Sequence, residues 1–399
     1  MNTAKQIKRH IWAKEQRILI SHIPPFQALV EAELQEAGFC DYERSDHGLY
    51  LSAKIEDIYR LHLRLATASR IWLIPAEFRA GATEELFRKC LKLPWELYLA
   101  PKVPIKISAR VRESRIQHEG GAADTLGEAI IKRLDEQGGT VPPLVTAVEA
   151  GQTVQNIQLT AEANRIELRI DLTGEHLHRR GYRKLVSEAP LRETLAAGLV
   201  RWSLEGYREQ HPQERLPVRI LDPFCGSGTI PIETSIHADG MFPGRDRSFL
   251  FERQPHYREA AYRFIRRNLK NEARFPVSLE IIGCDKNPDS VELAEQNSRT
   301  AGSGARFRHL DAFSPETAAL LGPRTLVITN PPYGERLEGG VALYRRLIQT
   351  LQESATPAVV LVPRSIEKTL ALDSVHPQLH FDNGGIRVAL HWINPQRTR

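Results

Sequence analysis

The first half of this chain sets short apolar runs against longer segments whose apolar positions recur every three or four residues, the spacing of one helix face. A strand over residues 17–20 leads through Pro24-Pro25 into a predicted helix over 26–37, with Phe26, Leu29, Val30 and Leu34 on one side and Gly38 as its stop. A strand at 48–51, a helix over 55–66 and a strand at 70–74 follow. This β-α-β-β-α-β-like order predicts a small ferredoxin-like unit. Beyond it, a helix over 83–91, a strand at 103–108, a helix at 125–134 and strands at 153–159 and 165–171 continue an α+β alternation.

The second half follows a different rule, because its strands end in chemistry. The run 219–221 opens into Asp222-Pro223-Phe224-Cys225-Gly226-Ser227-Gly228-Thr229 and then an apolar helix start, Ile230-Pro231-Ile232-Glu233. A strand at 279–284 ends in Asp285 with Lys286 after it, and a segment at 305–310 ends in Asp311-Ala312. The β-branched run 326–329 ends in Asn330-Pro331-Pro332-Tyr333. A buried strand over 357–363 follows, and a terminal hairpin joins 380–382 to 386–393 through Asn383-Gly384-Gly385. Strands that alternate with helices predict a parallel sheet, whose ligands gather at the strand carboxyl ends. Between Glu233 and Leu279 lies more chain than one crossover helix needs. Its Phe242, Phe249 and Phe251 suit either the lining of a base pocket or extra packing on the sheet.

Asn330-Pro331-Pro332-Tyr333 suits methyl transfer to a planar exocyclic amine. Such an NH2 is a weak nucleophile until acceptors hold its hydrogens, and Asn330 Oδ1 and the Pro331 carbonyl can be those acceptors. Proline fixes φ and so aims the chain, while Tyr333 can stack on the base. A plain Asn-Pro turn is the alternative for these four residues alone. The glycines near 226 let backbone approach a ligand, and an acid at the end of the next strand commonly binds ribose hydroxyls. The third glycine of a dinucleotide fingerprint is missing.

Composition narrows the class further. A chain of 399 residues exceeds what one core usually serves, so two or three domains are expected. With 41% apolar and 26% charged residues it reads as globular, and no apolar run approaches a membrane span. The basic start, residues 1–14, lacks the apolar core of a secretory signal and reads as a short solvated tail. Cys40, Cys90, Cys225 and Cys284 are widely spaced, so neither disulfides, zinc nor another metal is expected. A net charge of +5 leans toward a polyanionic partner. One basic group is Arg179-Arg180-Gly181-Tyr182-Arg183-Lys184; a second runs through Arg258, Arg263, Arg266, Arg267 and Lys270 and fits either phosphate contact or a solvated helix face.

On these motifs, residues from about 185 to 399 resemble a class I S-adenosylmethionine-dependent methyltransferase, a seven-stranded α/β Rossmann-like fold whose last strand is antiparallel. The resemblance implies S-adenosyl-L-methionine as cofactor. It implies that Asp222, Pro223, Phe224, Cys225, Gly226, Gly228 and Thr229 wrap its methionine end, that Asp285 with Lys286 takes the ribose, and that Asp311 and Ala312 face the adenine. Asn330 then lies at both cofactor and target, with Pro331, Pro332 and Tyr333 completing the catalytic loop.

From about residue 15 onward the chain resembles the THUMP-containing RNA guanine-N2 methyltransferases, carried by residues 177–183, Ala189-Pro190-Leu191-Arg192-Glu193, DPFCGSGT and NPPYGERL. That resemblance implies a ferredoxin-like domain at 1–75, a THUMP RNA-binding domain at 76–172, a linker at 173–190 and the methyltransferase domain at 191–399. It also implies methyl transfer to guanine N2 in structured RNA, with base flipping where the guanine is paired, and contact with RNA through Arg179, Arg180, Arg183 and Lys184. By analogy with bacterial large-subunit enzymes, 23S rRNA in the cytoplasm is the expected substrate, with tRNA as the alternative. Adenine-N6 or glutamine-amide methylation uses the same loop chemistry, and a non-catalytic RNA-binding module that retains the core is the rival outside enzymology.

Overall fold

A computed structural model of the protein describes residues 3–149, 151–183, 191–271, 273–275, 279–333, 340–372 and 378–393. The chain forms two units, each built on its own seven-stranded sheet. The first comprises Met1–His22, Leu34–Leu177 and Arg247–Leu269; the second comprises Ile23–Glu33, His178–Asp246 and Lys270–Arg399. Each unit thus contains a segment that lies, by sequence, inside the other.

In the first unit the strands are β1 (Gln16–Ser21), β2 (Glu43–Ser45), β3 (Gly48–Ala53), β4 (Arg70–Arg79), β5 (Ile105–Arg112), β6 (Gln155–Glu162) and β7 (Arg165–Asp171). They pair in the order β2-β3-β1-β4-β7-β6-β5, and only β5 and β6 are parallel. The first four strands keep the ferredoxin-like order, but the sheet does not stop there. β4 is ten residues long and pairs with β1 over Arg70–Leu73 and with β7 out to Arg79, helped by a register shift between Leu73 and Ala76. The domain border expected between 75 and 76 therefore falls inside one strand, and the sheet is continuous across it.

The long insert supplies part of this unit's core. Phe251 N–H donates to the Leu172 carbonyl at 3.0 Å and Leu250 N–H to that of Thr173 at 3.2 Å, which fixes the insert at the end of β7. Phe251 then stacks on Tyr59 with centroids 4.7 Å apart, and Tyr262 meets both rings edge-on at 5.2 and 5.4 Å. Tyr59 belongs to the helix Ile55–Arg64, whose buried side needs a cover. Removing each such ring from water contributes about 1.5–3 kcal/mol. Residues 247–269, expected at a base pocket or on the second sheet, are accounted for by this aromatic packing.

The second unit contains β8 (Arg219–Asp222), β9 (Glu280–Asp285), β10 (Arg306–His309), β11 (Thr325–Thr329), β12 (Ala358–Pro363), β13 (Leu379–Asn383) and β14 (Ile386–Ile393), in the order β10-β9-β8-β11-β12-β14-β13. β8 to β12 pair in parallel and β14 runs against β12, as the terminal hairpin pattern predicts. Both faces are buried, which explains the near-continuous apolar strands. One face meets Leu195, Leu199 and Val200 of the helix Glu193–Gln210; the other meets Tyr344, Leu347 and Leu351 of the helix Gly340–Glu353. Phe26 is fully buried in the first cluster and packs edge-on against Phe381 at 5.7 Å. It also occupies the space beside Gly198, where an added Cβ would sit 2.0 Å from its ring.

Two outcomes follow from this packing. Gly198→Ala should lower the melting temperature although alanine favours a helix by about 1 kcal/mol, and Phe26→Ala in the same chain should give a smaller loss than the two single effects added. Strict additivity would remove the Phe26–Gly198 contact as the cause. The second outcome concerns pH. Burial holds His62 down to about 3 and His256 down to about 4, and neither ring nitrogen of His256 has a hydrogen-bond partner among the described residues. Below the ordinary value of 6.5 the unfolded chain takes up protons that the folded imidazoles refuse, so stability falls as pH falls toward 4, by about 1.4 kcal/mol per pH unit for each ring. His256→Leu should reduce the drop in melting temperature between about pH 7 and pH 5; an unchanged drop would assign the acid sensitivity elsewhere.

Candidate active site

The parallel strands β10, β9, β8 and β11 are neighbours, so their carboxyl ends lie along one edge of the second sheet. Each end carries one of the sequence motifs. At the end of β8, Asp222 is buried, and its Oδ1 accepts both the Thr329 hydroxyl at 2.6 Å and Phe224 N–H at 3.1 Å. Burial pushes its carboxyl up to about 7 against the pull of those two donors, with Asp285 nearby adding to the rise. Asp222 thereby ties the glycine loop to β11 through a single carboxylate oxygen.

The loop that follows turns tightly. Cys225 N–H donates to the Cys284 carbonyl at 2.9 Å, and Gly228 N–H to the Cys225 carbonyl at 2.8 Å. Gly226 and Gly228 take left-handed φ values of +51° and +84°. A Cβ at Gly228 would stand 2.8 Å from the Phe307 ring and 2.9 Å from Ala294, whereas among the described residues nothing lies within 4 Å of a Cβ at Gly226. The loop is thus packed tightly on one side and open on the other. Asn297 Nδ2 donates to the Ser227 carbonyl at 3.1 Å from behind, and Thr229 begins the helix Thr229–Ala238. Burial raises the thiol of Cys225 far above its ordinary value and that of Cys284 to about 11, so both stay protonated and neither is a nucleophile.

Asp285 holds the other side. Its Oδ2 accepts Gly226 N–H at 3.0 Å and its Oδ1 accepts Asn287 N–H at 2.9 Å, which leaves each oxygen a further lone pair. Lys286 is exposed, and its carbonyl faces His309 Nε2 at 3.0 Å. Leu310 N–H donates to the Asp285 carbonyl at 3.1 Å, which places the next residues, Asp311 and Ala312, beside this end of the loop. Asp311 is exposed and accepts Phe313 N–H at 2.8 Å; Ala312 is buried. Phe224 and Phe313 meet edge-on with centroids 6.2 Å apart.

At the end of β11, Asn330 Oδ1 is a buried acceptor without a partner among the described residues. Pro331 is buried and its carbonyl lies 3.5 Å from the Tyr344 hydroxyl, which also donates to the Leu361 carbonyl at 3.2 Å. Pro332 is exposed, and the Tyr333 hydroxyl accepts from Asn383 Nδ2 of the terminal hairpin. Residues 334–337, the second half of the NPPYGERL motif, lie outside the described residues.

The basic group at 179–184 behaves differently from its expected role at RNA. Arg180 is 2% exposed and pairs with Glu233, whose Oε1 also accepts the Tyr182 hydroxyl at 3.1 Å. Arg183 donates to the Leu191 carbonyl at 3.0 Å and the Thr229 hydroxyl at 3.3 Å and pairs with Glu193. Burial raises both carboxyls, that of Glu233 to about 7. These two arginines are corrected from phosphate contacts to struts: desolvated charges persist only where paired, the Arg180–Glu233 pair braces the helix that starts at Thr229, and Arg183 links Glu193 of the preceding helix to Thr229. Arg179 is exposed, and Lys184, like Ala189-Pro190, lies outside the described residues. Among the described residues no cluster of three or more His, Cys, Asp or Glu could hold a metal ion, and no helix is long and apolar enough to cross a membrane.

Residues 180–375 match the family described as RMKL-like, methyltransferase domain, and residues 23–72 match the RlmL ferredoxin-like domain. The chain thus carries an RMKL-like methyltransferase domain and an RlmL ferredoxin-like domain. It is 30% identical over 390 residues, 94% of its length, to the ribosomal RNA large subunit methyltransferase K/L of Shewanella sp. (strain ANA-3), of which it covers 52%. It is 32% identical over 320 residues to the protein of the same name from Cellvibrio japonicus, covering 78% of this chain and 41% of that one. The chain therefore spans about half the length of the curated relatives it matches. Among solved structures, SMU.472, a putative methyltransferase complexed with SAH, superposes with a TM-score of 0.77 at 26% identity, over 97% of this chain and 100% of that one. A predicted N6-adenine-specific DNA methylase from Listeria monocytogenes gives the same score and identity over 95% and 96%. TrmN from Thermus thermophilus shares the fold, with a TM-score of 0.66 at 18% identity over 96% and 99%.

Several residues that shape this candidate site carry no catalytic motif of their own. Thr329, Asn297, Phe307 and Tyr344 act through contacts from neighbouring strands and helices, and Asn383, read from the sequence only as part of a turn, meets Tyr333. The packing predicts an order of stabilities. Gly228→Ala combines left-handed strain with an overpacked contact on Phe307 and should cost about 1–3 kcal/mol by the second alone, whereas Gly226→Ala meets open space and should cost only the strain, about 1–2 kcal/mol. Denaturant unfolding of the two variants checks this; equal losses would mean that the Phe307 contact does not restrain the loop.

Proposed function

We propose that this chain binds S-adenosyl-L-methionine at the carboxyl edge of β8 to β11 and transfers its methyl group to the exocyclic N2 of a guanine in structured RNA, with 23S rRNA as substrate. The observation that carries the reading is Asn330 Oδ1, a buried acceptor at a strand end with no donor among the described residues. An unsatisfied buried acceptor costs about 1–3 kcal/mol, a cost that an incoming N–H relieves. The name of the relatives supports ribosomal RNA, and the THUMP-type order of the N-terminal elements supports an RNA grip; a cytoplasmic location goes with such a substrate.

The residues fit the cofactor. The open side of Gly226 leaves room along the loop 223–228, and the remaining lone pairs of Asp285 suit ribose hydroxyls. Asp311 and Ala312 border the place where an adenine would follow, and Asp222 contributes by fixing the loop. When bound, the cofactor supplies an electrophilic methyl group on a sulfonium.

The chain's own part is to hold and orient the amine. Asn330 Oδ1 and the Pro331 carbonyl accept its two hydrogens, and Tyr333, braced by Asn383, offers a ring to the base. Positive charge grows on the amine nitrogen as the new bond forms, and these fixed dipoles strengthen their hold as it does. A guanine amine gives up its extra proton only after transfer, so no strong base is needed; the protonated thiols of Cys225 and Cys284 agree with that.

Asn330→Ala should keep the melting shift that S-adenosylmethionine produces and lose about 100-fold or more of methyl transfer. An equal loss of both would put Asn330 at the cofactor alone. Mass mapping of ribosomal RNA methylated by the parent protein should find N2-methylguanosine; N6-methyladenosine, or no product on RNA, would overturn the assignment.

A further inference from the structure

The basic excess of this chain is concentrated. Between Arg253 and Arg274 the sequence holds seven Arg or Lys and two Glu, a net +5 that equals the net charge of all 399 residues. At the centre of this stretch lies the helix Glu259–Arg267. It buries Tyr262 and Ile265, and Tyr262 joins the aromatic cluster of the first unit. Its outer face presents Arg263, Phe264 and Arg267 to solvent.

Phe264 is the anomaly on that face. It is 67% exposed, more than any other exposed large hydrophobic side chain among the described residues. Cations in the last turn are favoured by the helix dipole and need no ligand, but that accounts for no phenylalanine in water. Arg267 stands three positions after Phe264, on the same side of the helix, and Arg263, immediately before it, is exposed about 100° further round. The Glu259 partner of Arg263 leaves both side chains well exposed, at 65% and 59%, and a pair in that setting is weak and screened. An exposed ring beside cations, in the part of the chain that holds its whole positive excess, is the composition of a single-strand nucleic-acid platform.

We propose that this face docks unpaired RNA: Phe264 stacks on a nucleobase while Arg263 and Arg267 take the adjoining phosphates. The occupant is RNA because the surrounding charge complements a polyanion and because every base offers a π-face. The proposal rests on RNA as the substrate class and adds a docking surface on the first unit, separate in sequence from Asn330.

Binding of the full chain to a labelled short oligouridylate, and to an RNA duplex of the same length, tests it. Phe264→Ala should weaken oligouridylate binding about tenfold at fixed salt and change duplex binding little. The double variant Arg263→Ala, Arg267→Ala should instead flatten the dependence of log affinity on log salt by about 0.7 for each phosphate it no longer neutralises. Both variants should keep the parent's melting temperature and its shift with S-adenosylmethionine. Oligouridylate affinity of the Phe264 variant within twofold of the parent would overturn the proposal. So would a changed sedimentation behaviour of the RNA-free variant without loss of RNA affinity, which would mark a protein-binding face. Absence of the cofactor shift in the parent would remove the methyltransferase reading while leaving the affinity comparison intact.

Discussion

One carboxylate oxygen sets the geometry of the candidate site. Asp222 Oδ1 receives the Thr329 hydroxyl and the Phe224 amide together, so the start of the glycine loop and the residue before Asn330 hang from the same atom. The bond sits in a buried place where an unmet donor or acceptor is expensive, which makes the arrangement hard to loosen. Asp285 secures the far side of the loop through Gly226, and Arg183 secures the helix behind it through Thr229. The glycine loop and the strand end at Asn330 are therefore spaced by the buried Asp222 and the largely buried Arg183, while the partly exposed Asp285 keeps lone pairs to spare.

Much of this was legible along the chain, for a simple reason. Parallel strands buried on both faces read as continuous apolar runs, and each candidate ligand group stands directly after such a run, as Asp222, Asp285 and Asn330 do. Local signals also found the terminal hairpin, whose turn is marked by Asn383-Gly384-Gly385. What stayed hidden depends on distant partners. The strand Glu43–Ser45 is three polar residues long and exists because Gly48–Ala53 pairs with it. The extension of β4 to Arg79 follows from β7, almost a hundred residues later.

Charge was the least legible property. Arginines in a Gly- and Tyr-containing run look solvent-facing, and the facts that change the reading are Glu193 and Glu233, acids that fold onto them from the following helices. Desolvating two positive and two negative groups together is tolerable only with close pairing. The run at 179–183 is thus better understood as part of the scaffold under the glycine loop, with Arg179 alone of its described arginines facing solvent.

The exchange of segments between the two units bears on how the protein is made. The aromatic core that joins Tyr59 to Phe251 and Tyr262 cannot close while a ribosome has delivered only the first 177 residues, since its last ring arrives some eighty residues later. Phe26, conversely, must wait for strands near the carboxyl terminus before it finds Phe381. Folding one half to completion as it emerges is therefore ruled out, and a cut at the apparent border between halves would leave each fragment missing a piece of its own interior.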